Sequence, residues 1–118
     1  MKKEIRKIPN TLEECLTLLD KILSNKDKLY LKTLTEDNFL IETHFSLGSG
    51  IRNQWLRKEN SPLLAYFYEM EISHFDDISS IILISYYRNI IGKPIDLQGQ
   101  LEYYKAYWEK EKNEKTKK

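Results

Sequence analysis

At 118 residues, with 41% hydrophobic and 31% charged side chains, the chain has the composition of one globular domain and not of a disordered segment. A net charge of +1 gives no overall pull toward nucleic acid, and the one cysteine, Cys15, excludes an intramolecular disulfide framework or a cysteine-cluster zinc site. No window approaches the roughly 20 apolar residues that span a bilayer, and the charged start MKKEIRKIPN lacks the apolar run of a secretory signal, so a soluble, cytoplasmic protein is expected.

Residues 1–9 read as an extended arm ending at Pro9, with 3–8 the one candidate for an edge strand. Thr11-Leu12-Glu13-Glu14 is a capping box, in which the threonine oxygen accepts from an orphan amide and the glutamate reaches back. Leu12, Cys15, Leu16, Leu19, Ile22 and Leu23 follow at helical spacing and predict an amphipathic helix over 12–24, with Cys15 as a small core residue. Ser24-Asn25-Lys26-Asp27 breaks the stripe and caps a short helix over 26–32. Thr35-Glu36-Asp37 opens a third helix, with acids in its first turn.

On a helical wheel Leu40, His44, Leu47, Gly48, Ile51 and Trp55 share one face of that third helix. Ile41, Phe45, Arg52 and Leu56 share an adjacent one. Two apolar faces predict a helix wedged between neighbours. Arg57–Asn60 is a polar break, and Ser61-Pro62 is a cap followed by proline at the first helical position, opening a helix over 62–70. DDISSIILISYYRNII, residues 76–91, is apolar nearly all round and is stopped by Gly92 and Pro94. Asp96 caps a last helix over 97–112, with Leu97, Leu101, Tyr104 and Trp108 as its stripe. The expected fold is all-α: a compact single domain over 10–108, with five to six helices around the 76–91 helix and a lysine-rich fraying tail over 109–118.

Four features bear on function. Glycine inside a helix costs about 1 kcal/mol against alanine, so Gly48 and Gly50 in HFSLGSGIRNQW need a reason. Close packing of another helix, a break near Ser49, or backbone open to a ligand each supply one. GSG lacks the glycine pattern and preceding strand of a phosphate cradle. Asp76 and Asp77 in HFDDISS stand where a helix begins, which points to capping and a favourable dipole interaction. The sharper alternative joins His74, Asp76 and Asp77 to His44 and Glu42 as an oxygen-and-imidazole metal site, at a spacing that matches no established signature.

Arg52, on a helix with little polar surface, needs a carboxylate partner, and Asp76 and Asp77 are the candidates. Arg88 near a helix C-terminus has a simple dipole role. The fourth feature is aromatic content: eight tyrosines and two tryptophans exceed what so small a core can hold. Tyr86, Tyr87, Tyr103, Tyr107 and Trp108 are therefore expected at a partner surface.

HFSLGSGIRNQW and HFDDISSIILISYYRNIIGKPIDL together resemble a family of small bacterial domains of unknown function. The shared pattern is His-Phe-x-Leu-Gly-x-x-Ile-Arg-Asn followed by His-x-Asp-Asp-x-Ser, here carried by His44, Phe45, Leu47, Gly48, Ile51, Arg52, Asn53, His74, Asp76, Asp77 and Ser79. The likeness spans about residues 8–100. LRKENSPLL after Trp55 departs from it, where a turn with glycine and tryptophan is expected. The resemblance implies that the two polar motifs belong together, and it implies no activity.

The leading expectation is a non-enzymatic protein-binding or accessory domain, of the immunity kind, with a protein partner or a second copy of itself. His44, Arg52, Asn53, His74, Asp76, Asp77 and Ser79 would form its polar network, with no cofactor, metal or catalytic residue assigned. The alternative is a small hydrolytic or metal-dependent enzyme built on His44, Arg52, His74, Asp76 and Asp77. A third reading is nucleic-acid binding through the ends: residues 1–7 and 105–118 are each net +3 around a middle of −5. Lysine and glutamate alternate in the tail, which argues against a phosphate-binding patch.

Overall fold

The computed structural model describes residues 8–116, so the predicted arm and edge strand fall almost wholly outside the described residues. Seven α-helices follow in order: α1 Leu12–Ile22, α2 Asn25–Lys32, α3 Glu36–His44, α4 Leu47–Gly50, α5 Pro62–Glu69, α6 Phe75–Ile90 and α7 Leu97–Thr116. A π-helical segment, Ile51–Leu56, continues α4 without a break. The fold is all-helical among the described residues, with seven helices where five or six were expected. Side-chain caps start four of them: Thr11, Ser24, Thr35 and Ser61 accept from the backbone N–H groups of Glu14, Asp27, Asn38 and Leu64. Glu14 reaches back to the N–H of Asn10 at 2.9 Å, one residue before the position a capping box predicts.

The predicted third helix divides. α3 ends at His44, where the Ser46 N–H donates to the Thr43 carbonyl at 3.2 Å, and the chain leaves helical geometry at Ser46 (φ −98°, ψ −86°). This break lies three residues before Ser49, where one was weighed. α4 then starts in a new phase, and the Arg57 N–H donates to the Arg52 carbonyl, five residues back, at 2.9 Å. After the break Gly48, Ile51, Trp55 and Leu56 are buried on the faces predicted for them; before it the buried face differs. Phe39 and Thr43 face inward from α3, whereas Ile41 and Phe45, expected on an apolar face, are 69% and 84% exposed.

α6 packs against α1, α2, α3, α4, the π segment and α7. Its Ile78, Ile81, Ile82, Leu83 and Tyr86 are fully buried, beside Phe39, Leu56, Leu63 and Phe67 from its neighbours. Each such side chain contributes about 1.5–3 kcal/mol of burial, so this contact set dominates stability. Cys15 is a core residue, and its burial pushes the thiol pKa far up. Tyr86 and Tyr87, expected at a partner surface, are also core residues. α6 is covered on several sides, so both rings pack inward, and each hydroxyl finds an acceptor: Asp20 for Tyr86 at 3.0 Å and the Leu34 carbonyl for Tyr87.

Two further residues tie the frame. Arg88 does more than oppose a helix dipole. It forks onto Glu36 at 2.7 and 3.0 Å and donates to the Ile95 carbonyl at 2.7 Å, joining α3, α6 and the linker to α7. The guanidinium holds the Glu36 carboxyl below its ordinary range. The turn before α5 closes with Asn60 at φ 58°, a left-handed position that asparagine tolerates where glycine is the usual choice. α7 runs to Thr116, past the predicted end at 112 and through the lysine-rich segment. No helix among the described residues is long and apolar enough to cross a membrane.

Candidate functional site: a groove between the start of α6 and α7

The site is organised by Arg52, which projects from the π segment and is only 12% exposed. Its Nη2 donates to the His44 carbonyl at 3.0 Å, satisfying a group that the end of α3 leaves orphaned. Its Nη1 donates to Ser79 Oγ at 2.9 Å, and Ser79 in turn donates to the Asp76 carbonyl at 3.1 Å. Its Nε faces Asp76 Oδ1 at 3.5 Å. Of the two expected partners, Asp76 is the one paired, and loosely: its side chain is 75% exposed. Arg52 therefore staples the end of α3 to the start of α6, placing a cation at one helix C-terminus beside an acid at another helix N-terminus.

Asp77 turns the other way. It caps nothing, since α6 has no side-chain N-cap; its Oδ2 accepts from Trp108 Nε1 at 2.7 Å. The His74 ring lies flat on the Trp108 ring, with centroids 3.7 Å apart and planes 6° apart, and His74 Nδ1 is 3.9 Å from the same Asp77 oxygen. These contacts hold α7 against the start of α6. Burial there raises the Tyr104 phenol above its ordinary pKa.

Between these two assemblies lies an open cleft of about 540 Å³. One group of lining residues is polar, Arg52, Arg57, His74, Asp76 and Asp77, with the Phe75 ring among them. The other is aromatic: Tyr103, Tyr104, Tyr107 and Trp108. Arg57 sits 5.9 Å over the Phe75 ring and donates through Nε to Asn53 at 2.9 Å. The two arginines and two aspartates balance in charge, so the cleft suits a ligand with both donors and acceptors.

The structure thus brings Arg52, His74, Asp76, Asp77, Tyr103, Tyr107 and Trp108 to one cleft. Ser79 is buried behind it as a support, and Asn53 braces Arg57 from outside. His44 does not line the cleft. It gives only its carbonyl, and its ring packs edge-on against Phe45. The five-residue grouping of His44 with His74, Arg52 and the aspartates is corrected accordingly. Among the described residues no three His, Cys, Asp or Glu side chains come together as metal ligands. Arg57, Phe75 and Tyr104 were missed. The five-residue step from Arg52 to Arg57 belongs to a π-helix, and an α-helical wheel does not show it.

Fold and cleft together define a small domain, all-helical over the described residues, with a mixed polar and aromatic groove. A family model described as a domain of unknown function, DUF6794, matches residues 8–90, and the chain belongs to this family. No curated protein and no solved structure matches it. The matched span holds the polar group of the cleft and stops at the end of α6, so the aromatic group on α7 lies beyond it.

Proposed function

We propose that the chain is a non-enzymatic protein-binding domain, of the accessory or immunity kind, and that the groove between α6 and α7 is its recognition surface. One observation carries this reading: Tyr103 and Tyr107, 66% and 49% exposed, line the same groove as Arg57. Tyrosine and arginine in such a setting are the residue types that dominate binding energy at interfaces. The polar groups favour binding over hydrolysis. The donors of Arg52 are committed to the fold, and the His74 ring is held against Trp108 rather than beside a nucleophile.

The test uses the full chain as bait in cells that express it, followed by titration of the purified partner. Tyr103→Ala/Tyr107→Ala should weaken that binding by at least about tenfold at an unchanged Tm. Sedimentation of the wild-type chain shows whether the partner is a second copy. Wild-type affinity in the double variant rules this surface out.

A further inference from the structure

Trp108 lies where two cavities meet. The cleft of about 540 Å³ and a second cavity of about 290 Å³ share His74, Asp77, Tyr104 and Trp108 as walls, so both border the Trp108 side chain. α7 is anchored toward its start, where Leu97 and Tyr104 pack on the core and Gln100 Nε2 donates to Ser85 Oγ at 3.1 Å, and carries fewer contacts toward Trp108. Of its side chains only Leu101 is buried among the described residues, and Trp108 itself is 36% exposed. Lys105 reaches Glu71 only at 4.0 Å, with the glutamate side chain 82% exposed. The helix is attached through a six-residue linker, 91–96, in which Gly92 takes φ +79°.

The place where Trp108 sits makes two demands on an occupant. It must lay a flat ring on the His74 imidazole, and it must direct an in-plane N–H to Asp77, whose side chain is only 15% exposed. A carboxylate so placed loses stability when its donor leaves and nothing replaces it. A phenyl ring meets the first demand alone, and a phenol carries its donor on an oxygen outside the ring, not on a ring atom as indole does. Both receiving residues lie within the family span, and Trp108 lies outside it.

We propose that Trp108 is a built-in occupant of a tryptophan-binding subsite, and that the protein partner of this groove presents a tryptophan of its own to His74 and Asp77. This rests on the reading of the groove as a protein-binding surface. In the resting chain Trp108 fills the subsite and interrupts the groove. Binding swings the Trp108 end of α7 aside, joins the two cavities and returns an N–H donor to Asp77. α7 is therefore a self-docked strap that only a partner with the matching side chain displaces.

The experiment is chemical rescue in the full chain. Trp108→Ala vacates the subsite and leaves Trp55, which is buried, as the one tryptophan and a reporter of an intact core. N-acetyltryptophanamide should bind this variant saturably, shift the NMR signals of His74 and Asp77, and bind wild type at least about tenfold more weakly. The N1-methylated probe, lacking the donor, should also bind about tenfold more weakly. Equal binding of the methylated probe, tighter binding of N-acetylargininamide, or no saturable shift overturns the proposal. If Trp108→Ala does not fold, Trp108→Phe takes its place. The tryptophan probe must then bind it more tightly than wild type, and failure there also overturns the proposal. If the tyrosine double variant loses its partner while the rescue fails, this inference falls and the groove stands. A successful rescue with wild-type partner binding in the double variant leaves a tryptophan subsite but overturns both the groove as the partner surface and the partner's use of that subsite.

Discussion

Gly48 and Arg52 occupy one volume: a β-carbon on Gly48 would stand 2.9 Å from Arg52 Nη1. The guanidinium is not free to give way, because Ser79 and the His44 carbonyl hold its two ends. Leu83 of α6 is farther from the same point, at 3.5 Å, an ordinary contact. Gly48 is thus bare chiefly so that Arg52 can lie across it, and only secondarily so that α6 can approach.

That relationship predicts a change of sign. Gly48→Ala should lower stability by about 1–2 kcal/mol in the wild-type chain through overpacking. In an Arg52→Ala background the same substitution should raise stability by up to about 1 kcal/mol, since alanine is the better helix former. Thermal melts of the four proteins decide it; the same sign in both backgrounds removes the explanation.

Arg52→Ala alone leaves the His44 carbonyl and the Ser79 hydroxyl short of a donor, which should cost about 2–3 kcal/mol. For a domain of this size that is a fall in Tm of roughly 10 °C. Arg52→Lys keeps the charge but cannot reach both acceptors as a fork, and should recover less than half of the loss. An Arg52→Ala chain that melts with wild type shows that the staple carries no load.

Much of the frame was legible because its signals are local. Thr11, Ser24, Thr35 and Ser61 announce their helices within four residues, and Gly92 with Pro94 announces an end. The third helix was legible past its break, where Gly48, Ile51, Trp55 and Leu56 are buried on the faces drawn for them, and misread before it, because the reset at Ser46 leaves no single wheel that fits both parts. Tyr86 and Tyr87 were assigned to the surface by counting aromatics, whereas their acceptors, Asp20 and Leu34, lie 66 and 53 residues away. The cleft was half legible. Its polar members stand in two short motifs, but the union of Asp77 with Trp108 spans 31 residues and two helix orientations.

Acid should unpick the Arg88–Glu36 fork. The folded carboxyl is held below its ordinary value of 4.5, chiefly by its hydrogen bonds to Arg88. Its contribution is therefore complete above that value and is lost as pH falls through the lower, folded value. Screening at this half-exposed site limits the effect to about 1 kcal/mol. Glu36→Gln should melt lower than wild type at neutral pH, and the two curves should converge at the acid end. A constant offset across the titration contradicts the assignment.

Cys15 should be inert in the native state. Burial is the main cause of its raised thiol pKa, with Glu14 adding to it, so little thiolate is available to attack a reagent. An aromatic disulfide reagent at mildly alkaline pH should label the chain only as fast as it unfolds, and at once in denaturant. Prompt, complete labelling of native protein contradicts this burial.

The π segment from Ile51 to Leu56 behaves as a single inserted residue that was absorbed rather than looped out. Deleting one residue from 53–54 would let the Arg57 N–H meet the same Arg52 carbonyl in an ordinary α-helical turn, so the residues after it would keep their facing. Trp55 and Leu56 would stay in the core and Arg57 in the groove. Length in this stretch is therefore forgiving toward loss and not toward gain: a residue added and carried on as α-helix would turn everything after it by about 100° and take Arg57 out of the groove while keeping Arg52.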